Sequence, residues 1–188
     1  METREKLLQA AKNMFSQKGY WGTRVSDIVK EAGVSQGTFY IYFKSKDAIF
    51  KELVLQVKEK IIDILENPEG KTLIEKLENI NLKLLHLLYE NKSITEIFLY
   101  QLFSTNKELK NIYFETVEIA RKTISEMIQE SIDKKEIRQV NPENTADIFI
   151  GYKKMLFEDF ILKKDYPFKE VLKLSQEGIK IIYKGLKK

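Results

Sequence analysis

The chain has 188 residues, of which 43% are hydrophobic and 32% are charged, and its formal net charge is +4 at pH 7. This balance suits a small module plus one medium-sized domain with a real core, and no apolar run approaches the roughly 20 residues that cross a bilayer. The sequence has no cysteine, which excludes a disulfide framework, a thiolate metal site and thiol catalysis.

The positive charge is concentrated near the N-terminus. Residues 1–50 carry eight Lys and Arg against five Asp and Glu, whereas residues 51–188 carry 24 against 23. This excess permits binding to a polyanion such as DNA, but a solvated surface would show it too. Residues 1–5 lack the apolar stretch of a signal peptide, and the absence of cysteine is compatible with a reducing compartment, so we expect a cytoplasmic protein.

The first fifty residues predict three short helices. The first spans about 3–18, where apolar residues recur at helical spacing, and Gly19 supplies its stop. The second spans about 25–32 and ends at Gly33. The third spans about 36–42, with Ser35 as its N-cap and with Phe39 and Phe43 directed inward.

The rest of the chain predicts six longer helices and no strand, which makes the fold class all-α. Pro68, Pro142 and Pro167 lie between apolar segments and interrupt none of them, as is typical of helical proteins. The predicted helices span about 46–66, 72–90, 93–104, 106–134, 142–163 and 168–185.

The segment from Ile28 to Phe43 has the spacing of a helix-turn-helix motif. One short helix ends at a glycine, and the next begins within about three residues. Ala32 is small enough for close helix approach, and Gly33 can take the positive φ of the turn. Hydroxyl groups on the outer face can donate to phosphate oxygens, and a glutamine can pair with an adenine edge. The outward residues are Gln36, Thr38, Tyr40 and Tyr42.

Residues 5–50 resemble the DNA-binding domain of TetR/AcrR-family repressors. The resemblance covers about a quarter of the chain. It implies an N-terminal three-helix helix-turn-helix domain (1–46), a six-helix effector-binding and dimerisation domain (47–188), and a regulator rather than an enzyme. The matching residues are Ala10, Phe15, Gly19, Tyr20, Thr23, Ile28, Ala32, Gly33, Val34, Ser35, Gly37, Phe39, Tyr40, Tyr42, Phe43 and Lys46.

The same resemblance implies which residues contact double-stranded DNA. The start of the third helix would enter the major groove, the tyrosines and Lys46 would bind phosphates, and the start of the second helix would hold the opposite strand. A module-core position for Tyr42 stays open as an alternative. The predicted DNA-binding residues are Thr23, Arg24, Ser26, Ser35, Gln36, Gly37, Thr38, Tyr40, Tyr42 and Lys46.

The resemblance further implies a small-molecule effector inside the second domain, and no metal or other cofactor is expected. His86 is the only histidine, which argues against a transition-metal site. An aromatic-rich pocket would favour an apolar or flat cationic ligand, although any one of these aromatic residues is more often part of a plain bundle core. The candidate ligand-binding residues are Tyr89, Phe98, Tyr100, Phe103, Tyr113, Phe114, Tyr152 and Phe157.

The last two predicted helices are apolar around most of their circumference. Such helices are either central in a monomer or buried twice, once in their own core and once against another copy. Gly151 and Gly178 are costly in a helix unless helices approach closely there. The resemblance favours a homodimer, and the candidate interface residues are Phe149, Leu156, Phe160, Leu172, Ile179, Ile182 and Tyr183.

These features together predict a repressor that a small molecule releases from a palindromic operator. An activator, or a regulator that has lost its ligand, stays open as an alternative. A helical module that never binds DNA would have no need of several exposed tyrosine and glutamine side chains on one short helix.

Overall fold

The computed structural model describes residues 2–102 and 106–187, and it confirms the predicted all-α fold class. These residues contain no strand, and none of their helices combines the length and the apolar character that a membrane crossing needs. The helices are α1 (Thr3–Gly22), α2 (Val25–Ala32), α3 (Gln36–Tyr42), α4 (Lys46–Glu66), α5 (Leu73–Glu90), α6 (Lys92–Leu102), α7 (Lys107–Asp133), α8 (Pro142–Met155) and α9 (Phe168–Leu186).

Two helix ends depend on glycines in the left-handed region of the backbone. Gly19 has φ 69° and interrupts α1, so the straight part of that helix ends where the sequence predicted. Gly33 has φ 67° and ψ 34° and ends α2. A side chain at either position would force a backbone conformation that L-residues rarely adopt.

The helix α8 continues directly into a π-helical segment, Leu156–Lys163. The predicted helix of about 142–163 is therefore right in extent, but its last eight residues have the wider π turn. The backbone N–H of Lys164 donates to Asp159 across five residues, at 3.2 Å. Such π segments are uncommon and occur frequently beside functional sites.

The chain forms two compact units whose bounds differ from the predicted domains. The N-terminal unit consists of Met1–Lys58 and Asn91–Lys110, and the C-terminal unit of Glu59–Glu90 and Asn111–Lys188. The first part of α4 belongs to the N-terminal unit because Ile49, Phe50, Leu53 and Val54 are buried there. A boundary at residue 46 therefore cuts through a packed core.

Aromatic side chains dominate the core of the N-terminal unit. Phe15, Phe39 and Phe50 are each at most 1% exposed. The rings of Phe15 and Phe50 meet edge to face with centroids 5.7 Å apart. Burying each such ring stabilises the fold by about 1.5–3 kcal/mol, and this core is the rigid support on which α2 and α3 lie.

The C-terminal unit buries one side of α9 against its other helices. Along α9 every fourth residue is buried: Val171, Ser175, Ile179 and Tyr183. At Gly178 a Cβ atom would lie 2.1 Å from the hydroxyl of Tyr152 in α8, so a larger residue at this position would displace the Tyr152 side chain. Gly151 has no such neighbour within 4 Å, so only one of the two glycines marks a close helix contact within the chain.

Candidate nucleic-acid interface and effector cavity

The turn between α2 and α3 has the geometry that the helix-turn-helix spacing predicts. The backbone N–H groups of Gly33 and Val34 donate to the last turn of α2, at 3.3 Å and 3.0 Å. Ile28 on α2 and Phe39 on α3 are fully buried on the inner side of the two helices. The short helix α3 therefore packs against the unit through its inner side, and its outer side faces away from this core.

The outer face of α3 carries the predicted polar and aromatic side chains. Gln36 is exposed, and Tyr40 and Tyr42 are 51% and 44% exposed. The exposure of Tyr42 rules out the alternative that it is a core aromatic. The side chain of Ser35 accepts a hydrogen bond from the backbone N–H of Thr38 at 3.1 Å, which confirms it as the N-cap.

Gly37 lies on the same exposed surface. A Cβ atom at this position would meet only the hydroxyl of Ser35, at an ordinary distance of 3.7 Å. None of the described residues therefore demands glycine here, whereas close approach of an external backbone would.

Thr23 does not have the role that the sequence predicted. Its side chain is 1% exposed, and its hydroxyl donates to the carbonyl oxygens of Gly19 and Met14, at 2.7 Å and 3.1 Å. Thr23 thus satisfies carbonyl groups that the kink at Gly19 leaves open, and its hydroxyl is not available to a phosphate.

Arg24 and Ser26, at the start of α2, are exposed as predicted. Arg24 occupies the N-cap position, and its backbone N–H donates to the carboxylate of Asp27 at 2.8 Å. The ammonium of Lys18 lies 2.7 Å from the same carboxylate, and it lowers the pKa of Asp27 together with the backbone of Arg24. The carboxylate is thereby paired within the chain, which reduces its repulsion of an approaching phosphate.

Lys46 also differs from its predicted role. Its ammonium donates to the carbonyl oxygens of Tyr20 and Thr23, at 2.6 Å and 2.8 Å, and lies 4.2 Å from the centre of the Tyr20 ring. Partial burial lowers the pKa of Lys46. The side chain therefore binds the C-terminal end of α1 to the start of α4, where a cation is favoured by the helix dipole, instead of extending outward to a phosphate.

Two large apolar side chains on the surface of this unit were missed by the sequence reasoning. Ile41 on α3 is 79% exposed and Trp21 at the end of α1 is 77% exposed. The signal for Ile41 was its place between Tyr40 and Tyr42, away from the inward face that Phe39 defines. No comparable pattern identified Trp21.

The aromatic residues predicted to bind an effector are dispersed over the structure. Tyr100 and Phe114 are 73% and 64% exposed, whereas Phe157 is buried in the core. The hydroxyls of Tyr89 and Tyr152 donate to backbone carbonyls within the C-terminal unit. Phe98 and Tyr113 are half-buried, and Phe103 lies outside the described residues.

The C-terminal unit instead contains an aliphatic cavity of about 120 Å³. None of the seven described aromatic candidates lines it, so the expected aromatic pocket does not describe this cavity. The cavity lies among α4, α5, α7, α8 and α9. Its lining residues are Ile61, Leu65, Leu77, Ile80, Asn81, Leu84, Ala120, Ile124, Phe149, Ile150, Lys153 and Ile179.

Two polar residues in this lining, and a third beside them, form a hydrogen-bonded chain that the sequence reasoning missed. The ammonium of Lys153 donates to the hydroxyl of Ser175 at 2.6 Å, and that hydroxyl donates to Oδ1 of Asn81 at 2.5 Å. Burial lowers the pKa of Lys153 to about 7. Asn81 and Ser175 are both 0% exposed.

The predicted interface residues on α8, the π segment and α9 fall into two groups. Phe149, Leu156, Ile179 and Tyr183 are at most 8% exposed and lie in the core of their own unit, so they offer almost no surface to a second copy, contrary to the prediction. Phe160, Leu172 and Ile182 are half-buried. The exposed apolar residues of α8 and α9 are Ile148, Met155 and Ile181, at 57%, 42% and 64%.

The buried turn and the exposed face of α3 define this chain as an all-helical DNA-binding protein of the helix-turn-helix class. Comparison of the sequence with known protein families identifies the family within this class. The model of the TetR family of bacterial regulatory proteins matches residues 7–53, and the model of a tetracycline-repressor-like C-terminal domain matches residues 75–182.

Individual relatives match between 71% and 99% of the chain. A solved transcriptional regulator from Aquifex aeolicus VF5 is 32% identical, with a TM-score of 0.78 over 96% of this chain and 99% of that one. The uncharacterized HTH-type transcriptional regulator YdgC of Bacillus subtilis is 28% identical over 99% of this chain and 93% of its own length. The fatty acid metabolism regulator protein of B. subtilis is 29% identical over 71% of this chain and 70% of its own.

The chain belongs to the TetR family and is a DNA-binding transcriptional regulator. This confirms the resemblance seen in residues 5–50 and extends it to the C-terminal unit, which carries no short sequence motif of its own. It also confirms that the chain is a regulator rather than an enzyme.

Proposed function

We propose that this regulator is a cytoplasmic repressor that binds a palindromic operator as a homodimer and leaves it when a small molecule binds. The observation that carries the proposal is the short helix α3, which is supported from within by Phe39 and exposes Gln36, Tyr40 and Tyr42 on its other side. A face of this kind fits a major groove and offers donors to both bases and phosphates.

The proposed DNA contacts divide into base reading and phosphate binding. Gln36 pairs with a base edge, while the hydroxyls of Tyr40 and Tyr42 donate to phosphate oxygens. Arg24 and Ser26 hold the opposite backbone from the start of α2. Thr23 and Lys46 support the N-terminal unit from inside, because both bind carbonyl oxygens in or just after the last part of α1.

Fluorescence anisotropy with a labelled operator tests these roles. Tyr40→Phe should weaken binding to every sequence, whereas Gln36→Ala should change the preference at one base position by about 1–3 kcal/mol. Tyr100→Phe removes a hydroxyl from another exposed tyrosine and serves as the matched control. An unchanged base preference in Gln36→Ala would refute its reading role.

Salt dependence tests the contact with phosphates as a whole. Binding should weaken steeply, by roughly 10³-fold or more between 50 and 200 mM salt, because phosphate contacts release counterions. A flat response over this range would contradict binding to DNA through this surface.

The exposed residues Ile148, Met155 and Ile181 support a dimer surface on α8 and α9. Two helices from each copy would form a four-helix bundle that covers this surface. A dimer of this kind presents two α3 helices, which must lie about 34–36 Å apart to enter successive major grooves.

Light scattering on single variants tests the dimer surface. Ile181→Glu should yield monomers, because a carboxylate cannot be buried there without a partner. Ile41→Glu introduces the same change at an exposed isoleucine of the N-terminal unit and should leave the mass unchanged. A dimeric Ile181→Glu variant would remove this residue from the interface.

The cavity in the C-terminal unit supports release by a small molecule. Ile61 and Leu65, near the end of α4, line it, and the same helix begins at Lys46 directly after α3. A ligand that binds better when α4 has shifted would favour the released state and weaken operator binding. A reporter gene behind the operator distinguishes a repressor from an activator by the sign of its response.

A further inference from the structure

Three polar residues interrupt apolar stripes on three different helices of the C-terminal unit. Each stands four residues from buried apolar neighbours on the same face, which is one helical turn away. On α5 the series is Leu77, Asn81 and Leu85; on α8 and its continuation it is Phe149, Lys153 and Phe157; on α9 it is Val171, Ser175 and Ile179.

The hydrogen bonds among these three residues leave donors without acceptors. The chain runs from Lys153 to Ser175 to Oδ1 of Asn81, so every bond in it is donated in the same direction. The amide nitrogen Nδ2 of Asn81 is buried and has no hydrogen-bond partner among the described residues. The ammonium of Lys153 has three N–H donors, of which one is used by Ser175.

A buried donor without an acceptor is costly, and a natural protein rarely retains one without a reason. Here the free amide and the ammonium both belong to residues that line the cavity. Burial also holds the pKa of the Lys153 amine far below its ordinary value, and a negative group beside it would restore the charged form. These two donor groups, on residues that line the cavity, therefore lack an acceptor that carries negative charge.

The remainder of the cavity specifies an aliphatic group. Its wall consists of leucine, isoleucine and alanine side chains with one phenylalanine, and the volume is about 120 Å³. A dry cavity of about 150 Å³ accommodates benzene, so this space suits about four to six carbon atoms.

We propose that the effector is an aliphatic carboxylate with a tail of about four to six carbons, whose carboxylate accepts hydrogen bonds from Nζ of Lys153 and Nδ2 of Asn81. The inference rests on the proposed function only in taking this cavity as the effector site. A carboxylate fits better than a phosphate, because its two oxygens match the two donor groups and a single charge is neutralised by one lysine.

Calorimetry on the full chain without DNA tests the ligand directly. Hexanoate is the main probe, and hexan-1-ol is the control with the same tail but no charge. Since hydrogen bonds to charged groups are the strong ones, hexanoate should bind roughly ten to a hundred times more tightly than the alcohol. In a series of carboxylates from butanoate to decanoate, the affinity should be highest near six carbons.

Three variants separate the head group from the tail. Lys153→Met should remove the preference for hexanoate while retaining the binding of hexan-1-ol within about threefold. Asn81→Leu should weaken hexanoate binding by roughly tenfold. Ala120→Leu fills the cavity and should abolish binding of both probes. Circular dichroism checks that each variant is folded.

Equal affinity of the wild-type chain for hexanoate and hexan-1-ol would overturn the assignment of the head group. The absence of binding by any carboxylate of the series would overturn the whole inference. Operator release is measured separately: hexanoate that binds the chain without releasing DNA would refute the proposed regulation and leave the ligand assignment standing.

Discussion

Replacement of Lys153 by methionine should stabilise the free protein. An ordinary lysine has a pKa of 10.5, and burial lowers the pKa of Lys153 to about 7. Each pKa unit corresponds to about 1.4 kcal/mol, so holding this amine in the folded chain costs about 4 kcal/mol at pH 7. Loss of the hydrogen bond to Ser175 costs about 1 kcal/mol. Lys153→Met should therefore raise the free energy of unfolding at pH 7 by about 3 kcal/mol.

The pH dependence of the free energy of unfolding tests the same effect independently. Between pH 7 and pH 10.5 the unfolded chain binds a proton at Lys153 that the folded chain has lost, so the stability of the wild type rises with pH in this window. From pH 7 to pH 9 this gain amounts to about 2 kcal/mol. Lys153→Met lacks the titrating group and should lack this gain.

Urea unfolding followed by circular dichroism, at one protein concentration and at both pH values, measures the two effects. Lys154→Met is the matched control, because Lys154 is the neighbouring lysine and its side chain is 51% exposed. The hypothesis that burial of the Lys153 amine destabilises the folded chain would be wrong if Lys153→Met were no more stable than the wild type at pH 7. The same holds if both chains responded identically to pH.

Further expectations concern the tightly packed positions. Gly178→Ala should lower the free energy of unfolding by about 1–3 kcal/mol, since the new Cβ would displace the ring of Tyr152. Gly185→Ala, on the same helix and with open space around it, should cause no loss, and equal effects in thermal denaturation would disprove the close contact. Thr23→Val should destabilise the chain by about 1–3 kcal/mol, because the carbonyl oxygens that its hydroxyl binds lose a buried donor. Ser26→Ala should leave stability within about 0.5 kcal/mol and should weaken operator binding. If Thr23→Val weakened operator binding without loss of stability, and Ser26→Ala lost stability instead, the roles given to Thr23 and Ser26 would be wrong.

The local signals of the sequence were sufficient for the helix-turn-helix. The helices α2, α3 and α4 begin and end at the predicted residues, because a glycine with positive φ and a serine N-cap specify these ends locally. The exposure of Gln36, Tyr40 and Tyr42 also followed from helical spacing.

The inward roles of Thr23 and Lys46 could not be read in the same way. The hydroxyl of Thr23 binds carbonyl oxygens that the kink at Gly19 leaves open. The ammonium of Lys46 binds carbonyl oxygens at the end of α1, which it reaches from the start of α4. A polar residue near a predicted DNA surface looks the same in the sequence whether it points outward or inward.

The dimer-interface residues of the last two helices were difficult to predict for a related reason. A helix that is apolar on most sides does not reveal which side meets its own core and which side is left for a partner. The predicted set therefore included Ile179 and Tyr183, which are buried, and missed Ile181, which lies between them and is exposed.

The polar residues of the cavity did leave a signal in the sequence. Asn81, Lys153 and Ser175 each stand within an apolar stripe of four-residue spacing, which is an unfavourable place for a polar group without a purpose. The ligand-binding candidates were instead placed at aromatic residues. That the three residues meet is a property of the packing of α5, α8 and α9, which periodicity alone does not specify.

The proposed operator contacts and the proposed effector site lie in different stretches of the chain. The proposed DNA contacts lie before residue 43, and the cavity is lined by residues from Ile61 onward, with α4 shared between the two units. Under these proposals, a duplicated gene could change the effector of its product through codons 81, 153 and 175 while the product still recognised the same operator. The same separation makes the chain suitable for hybrid biosensors, in which one DNA-binding helix-turn-helix is combined with cavities of altered chemistry.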